Sequence, residues 1–227
     1  MLVAVAIVPS APLLVPELAG AAADELAGLR DAVLTAATAL PQRWIAVGTA
    51  AADGGWGPEL AGTFAGYGVD VRIALSPSAG EVVELPLCAL IAGWIRGHAA
   101  PEAQVQVRSQ AADLPAEQAR ARGLALRAEC DQTAQPTGVL VVADGCHTLT
   151  PAAPGGHDPA STAVQNALDE ALATGDTAAL AALPDLVVGR SAFGVLAGLT
   201  EPAPRATKEL YRGAPYGVGY FAGVWQP

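Results

Sequence analysis

The run VLVVADGCHTLTPAAPGGHDP, residues 139–159, decides how the chain folds. Residues 139–143 are apolar on both of the alternating faces that a strand presents, which is the pattern of a central strand covered by helices above and below. The composition then changes at once to Asp, Gly, Pro and His. Residues 148–159 therefore read as a loop at the C-terminal end of a strand, where open α/β sheets usually bind their ligands. Similar Val- and Ile-rich runs at 2–8, 44–47, 69–75, 105–107 and 186–188 read as further strands. Helical patterns lie between them. Leu26, Leu29, Val33 and Leu40 follow one apolar stripe, residues 117–131 and 162–174 are amphipathic, and 80–97 is helix-like with Pro86 starting or kinking it. Ser191 reads as the cap of a helix running to Leu199. The pattern predicts an α/β fold: a single domain over residues 1–227, with a mostly parallel or mixed central sheet covered by helices on both faces.

Composition narrows the functional classes. A hydrophobic fraction of 52% with 15% charged residues is the reverse of a disordered chain. Twelve basic residues against 22 acidic ones give a net charge of −10, which repels phosphate backbones and anionic lipid surfaces. The densest basic group, Arg120, Arg122 and Arg127, lies beside Glu117 and Glu129, so neither nucleic acid nor membrane is expected as a partner. The apolar N-terminus has no basic flank, and Pro9, Pro12 and Pro16 break any helix there, so it reads as a strand and loop rather than a leader. Three cysteines, an odd number without a CxxC, suit a reduced cytoplasmic setting better than a disulfide framework.

Several catalytic motifs fail on spacing. No phosphate-cradling GxxxxGK[ST] occurs, and Gly217, Gly219 and Ala222 sit too near the C-terminus for a dinucleotide-binding unit, so they read as a glycine-rich buried strand. Ser191 lacks the spacing of a nucleophile elbow, and Cys146 and His147 are sequence neighbours that rarely face each other. His98, His147 and His157 show no helical metal-ligand spacing. His98 ends a helical segment, where a partial positive charge suits the helix dipole. His147 and His157 flank the loop after the decisive strand, a position that favours function. Asp144, at that strand's end, reads either as a turn cap or as a functional carboxylate. Cys146 reads by default as a small buried hydrophobe.

Three separated segments give the chain a family likeness. VPSAPLLVPELAG (8–20), ADGCHTLTPAAPGGHDP (143–159) and YRGAPYGVGYFAGVW (211–225) resemble, in order, the opening HPPLLVPE element, the strand-end DLSH-to-DP element and the closing YEGPFGVGY strand of the class III extradiol ring-cleavage dioxygenases, the LigB-type and Memo-like proteins. The resemblance implies an α/β domain in which active members hold Fe(II) with two His and one Glu, while a further histidine serves as acid/base. Carried onto this chain, the ligand positions fall on Ser10, the region of Ala50, and Gly213, none of which can ligate iron as the family does. His147 matches the acid/base histidine, with Asp144 or His157 as helper. Ser10, Cys146 and Gly156 are the candidate binding residues. The expectation is a dioxygenase-like protein without the iron site and without a cofactor. It would bind a small molecule or a partner protein in the remnant cleft. The alternatives are a non-catalytic subunit pairing with a homologous chain in a homo- or hetero-oligomer, and an enzyme of altered specificity that uses His147.

Overall fold

The strand carrying residues 139–143 is central, and the other elements assemble around it. The computed structural model describes residues 1–227 as ten strands and seven helices. In chain order these are β1 (Leu2–Val8), α1 (Pro16–Ala19), α2 (Ala27–Ala37), β2 (Arg43–Ala50), β3 (Gly54–Trp56), β4 (Leu60–Thr63), β5 (Arg72–Ala74), β6 (Glu81–Val82), α3 (Leu87–Ala99), β7 (Gln104–Ala111), α4 (Ala116–Asp131), β8 (Thr137–Val142), α5 (Ser161–Thr174), α6 (Thr177–Ala181), α7 (Arg190–Thr200), β9 (Ala206–Gly213) and β10 (Tyr220–Gln226). Every residue of β8 is buried. It pairs in parallel with β1 on one side (Val8 opposite Val142) and with β2 on the other (Gly48 opposite Val142). β7 continues the parallel set, whereas β3, β9 and β10 join antiparallel. The result is a mixed seven-stranded sheet in the order β3-β7-β2-β8-β1-β10-β9.

Alternation along the central strands sends side chains to two separate cores. Ala6, Val8, Trp44, Ala46, Leu140 and Val142 face α2 and α3, while Val5, Ile7, Ile45, Val47, Val139 and Val141 face α4, α5 and α7. Both faces are thus closed by helices, as the doubly apolar strands require. α7 comes so close to α4 that a methyl added at Gly198 would stand 2.0 Å from the Arg120 carbonyl oxygen. The chain leaves β1 for α2 on one face and leaves β8 for α5 on the other. Those two strands are neighbours, and their C-terminal ends lie where the connections diverge, the usual position of a ligand crevice in such sheets.

Four local readings need correction. The run 69–75 supplies only the short strand β5, and it belongs to a separate three-stranded sheet, β5-β4-β6; Gly68 at φ 100° and Pro77 delimit it. Residues 186–188 form no strand. Hemmed in by Pro184 and Gly189, they make a single bridge from Val187 to Cys146. In the helix-like stretch 80–97, Pro86 starts the helix at Leu87, one of the two roles expected of it, and the residues before it are not helical but include β6. Ser191 does not cap its helix: Gly189 takes that place, and the buried Ser191 hydroxyl instead lies 3.0 Å from the Thr49 hydroxyl. The closing segment is a hairpin, β9 and β10, joined by a 3-10 turn at Pro215–Gly217.

Candidate functional site

The three segments singled out in the sequence meet at the C-terminal ends of β1 and β8. From the first, the Ser10 amide donates a 2.7 Å hydrogen bond to Asp144 Oδ1. From the third, the Gly219 amide donates to the Cys146 carbonyl and the Gly219 carbonyl accepts from the Gly145 amide, each at 2.8 Å, while the Gly217 carbonyl accepts from Leu149 at 3.2 Å. Gln165, on α5, locks this junction. Its Oε1 accepts the Cys146 amide at 2.8 Å and its Nε2 donates to Asp169 at 2.8 Å. A methyl added at either Gly145 or Gly219 would stand 2.1 Å from that Oε1, so any larger residue at either position must displace the Gln165 amide from its hydrogen bonds.

Asp144 is the chemically distinctive group of the junction. It is largely desolvated by the surrounding protein yet retains intermediate solvent exposure at the strand end. Its Oδ1 is taken by Ser10, while its Oδ2 has no protein partner and is not sealed from solvent. No arginine, lysine or histidine forms an ion pair with it. Burial pushes the carboxyl up to about 7, and the Ser10 hydrogen bond pulls in the other direction without prevailing. Tyr220 (4% exposed) lies close enough for the Asp144 charge to act on it. Burial first, then Asp144 and Tyr211, raise its phenol pKa, so it stays a hydrogen-bond donor. Gly213, opposite Tyr220 in the β9–β10 ladder, leaves room for the Tyr211 hydroxyl, which would stand 2.7 Å from a methyl placed there. Alternation along β2 puts Ala50 on the same sheet face as Trp44 and Ala46, which is also the face of Tyr220.

The remaining sequence candidates make no contact with the Asp144 carboxyl. His147 is exposed, its ring packed over Gly155, and no hydrogen bond joins it to Asp144, Ser10 or His157. His157 is also exposed and bridges Leu149 through its backbone. Gly156, at φ 78°, lets the loop reverse before His157. Cys146 is buried in the α5/α7 core, and burial raises its thiol pKa, so it is a packing residue rather than a thiolate. Tyr220, Tyr211 and Gln165 were not among the candidates. Both tyrosines lie in YRGAPYGVGY, but only strand pairing brings Tyr220 near Asp144 and Tyr211 near Tyr220.

Iron fits this site poorly. Ser10, Ala50 and Gly213 offer neither imidazole nor carboxylate, and no group of three His, Cys, Asp or Glu side chains in the protein is placed to hold a metal ion. No helix is long and apolar enough to cross a membrane. The arginines of the densest basic group are each matched by a carboxylate: Arg120 with Glu201, Arg122 with Asp53 and Arg127 with Asp131.

No protein-family model and no curated protein matches the chain. Among solved structures, the uncharacterized protein JW3007 from Escherichia coli K12 is similar in fold, with a TM-score of 0.61 and 12% sequence identity over 99% of this chain and 100% of that one. The likeness spans the whole domain.

Proposed function

We propose that this chain is an iron-independent relative of the extradiol dioxygenases that binds a small molecule at the strand ends around Asp144. The observation that carries the reading is a carboxyl with a free Oδ2, no counter-ion and a pKa of about 7, set where the connections of two neighbouring strands diverge. The convergence of Ser10, Asp144 and the β9–β10 turn supports the family resemblance, because those three segments were its basis. The replacement of every expected ligand position argues against oxygen chemistry, since that chemistry belongs to the metal.

The residues can nonetheless handle a proton. Ser10 fixes Oδ1, so the proton gained or lost near neutral pH resides at Oδ2, the oxygen open to solvent. Tyr220 donates from the side. A ligand presenting one acceptor and one donor would satisfy both groups.

Two measurements test this. After anaerobic Fe(II) loading, the protein is expected to take up no oxygen with protocatechuate; turnover would overturn the reading. A thermal-shift panel of small phenols and aromatic acids should stabilise the wild type with at least one compound and lose that gain in Asp144→Asn. Equal stabilisation of both would place binding elsewhere.

A further inference from the structure

We infer that the cavity between α3 and the small sheet is a second binding site, built for a small organic anion with an apolar body. The cavity, of about 470 Å³, lies between β5, β6 and α3, and none of its lining residues is among the site candidates above. Arg72 and Arg96 both line it. Unlike Arg108, Arg120, Arg122 and Arg127, neither forms an ion pair with a carboxylate. Arg96 is only 7% exposed. Its Nε donates to the Ala74 carbonyl at 2.9 Å and its Nη1 to the carbonyls of Pro101 and Ala103. These bonds hold the guanidinium rigid but do not neutralise it. Nη2 has no protein partner and is not sealed from solvent.

Glu17 is the one carboxylate among the lining residues, and Glu102 acts on Arg96 only at a distance, so the walls carry two guanidinium charges against one carboxylate. The largely buried Arg96 guanidinium has carbonyl partners but no carboxylate to balance its charge, and an anion entering the cavity would supply one. The apolar side of the cavity is equally defined. Trp94 stacks against His98 with ring centroids 4.3 Å apart, and the His98 Nδ1 engages the Trp94 carbonyl at 2.8 Å, which leaves Nε2 as the nitrogen free for a ligand. Gly97, exposed on α3, also lines the cavity, and a methyl there would meet no atom within 4 Å. The volume lies within the range typical of small-molecule pockets. A carboxylate or phosphate head between Arg72 and Arg96, with an apolar body against Trp94, fits the walls.

Phenyl phosphate is the probe, with benzylamine as its cationic counterpart, followed by ligand-observed NMR and calorimetry on the full chain. Phenyl phosphate is expected to bind, and its affinity to fall roughly tenfold or more in Arg72→Glu and in Gly97→Leu. Arg72 is exposed, and Gly97→Leu fills open space while raising helix propensity, so both variants should fold. Asp144→Asn should leave this binding unchanged, which separates it from the strand-end site. No binding of phenyl phosphate, equal binding by the wild type and both variants, or equal binding of benzylamine would overturn the inference.

Discussion

Asp53 and Asp144 are the same side chain in opposite circumstances. Asp53 follows β2 at the edge of the molecule and receives a bidentate fork from Arg122, Nη1 to Oδ1 at 2.7 Å and Nη2 to Oδ2 at 2.8 Å, together with the Ala111 amide at 2.9 Å. The Arg122 hydrogen bond first, and the Ala111 amide second, hold its carboxyl down to about 2. Asp144 follows β8 at the centre of the sheet and receives one amide and no charge, so desolvation prevails and its carboxyl rises to about 7. The first arrangement ties α4 to the strand ends, while the second leaves one carboxylate oxygen uncommitted. A strand-end aspartate is therefore structural or functional according to whether a cation reaches it, and its place in the sequence does not reveal which.

The largest effect expected from this contrast is at Asp144. In the unfolded chain it loses its proton near 3.8, and in the folded protein only near 7. The folded state thus holds the extra proton between those values. Stability is greatest below pH 3.8 as far as this group is concerned and declines as pH rises through 7. The full loss is on the order of 4 kcal/mol. Asp144→Asn should remove that slope and raise the melting temperature at pH 8 by roughly 10 °C. A variant that melts at or below the wild-type temperature at pH 8 would break the contrast.

Gly219→Ala should come next. Its methyl would displace Gln165 and leave the buried Cys146 amide without a partner, at a cost of about 1–3 kcal/mol in chemical denaturation. Asp53→Asn should destabilise less, because the pair is solvent-exposed. Its sign is opposite to that of Asp144: the contribution of Asp53 is present above pH 3.8 and fades as pH falls through 2, so wild type and variant should converge in acid. His147→Ala, at an exposed position, should change stability by no more than about 0.5 kcal/mol. A larger loss would assign that ring a structural role.

Much of the fold could be read from the sequence because its core strands are apolar on both faces. β1, β2 and β8 stand where such runs occur, β7 stands at the one-sided Val105 and Val107 alternation, and α4 and α5 follow their amphipathic patterns to within a residue. The errors fall where local composition is outweighed by geometry. Residues 186–188 are as apolar as a strand but span too little chain between Pro184 and Gly189 to form one. Ser191 is a good cap residue placed two residues too late, and Thr49 on a neighbouring strand claims its hydroxyl. Of the site, Ser10 and Asp144 were accessible through strand-end position and motif resemblance. Tyr220 was not, since its approach to Asp144 depends on the antiparallel pairing of β10 with β1, a contact between opposite ends of the chain. The lack of any charge partner for Asp144 likewise exists only in three dimensions.

The side-chain carboxyl carbon of Asp144, followed by NMR as a function of pH in the ligand-free protein, tests the central claim most directly. The account predicts a midpoint near 7, with Asp53 titrating near 2 in the same spectra. A midpoint near 4 for Asp144 would mean that water or an unrecognised partner satisfies the carboxylate, and the strand ends would lose the group that makes them a site.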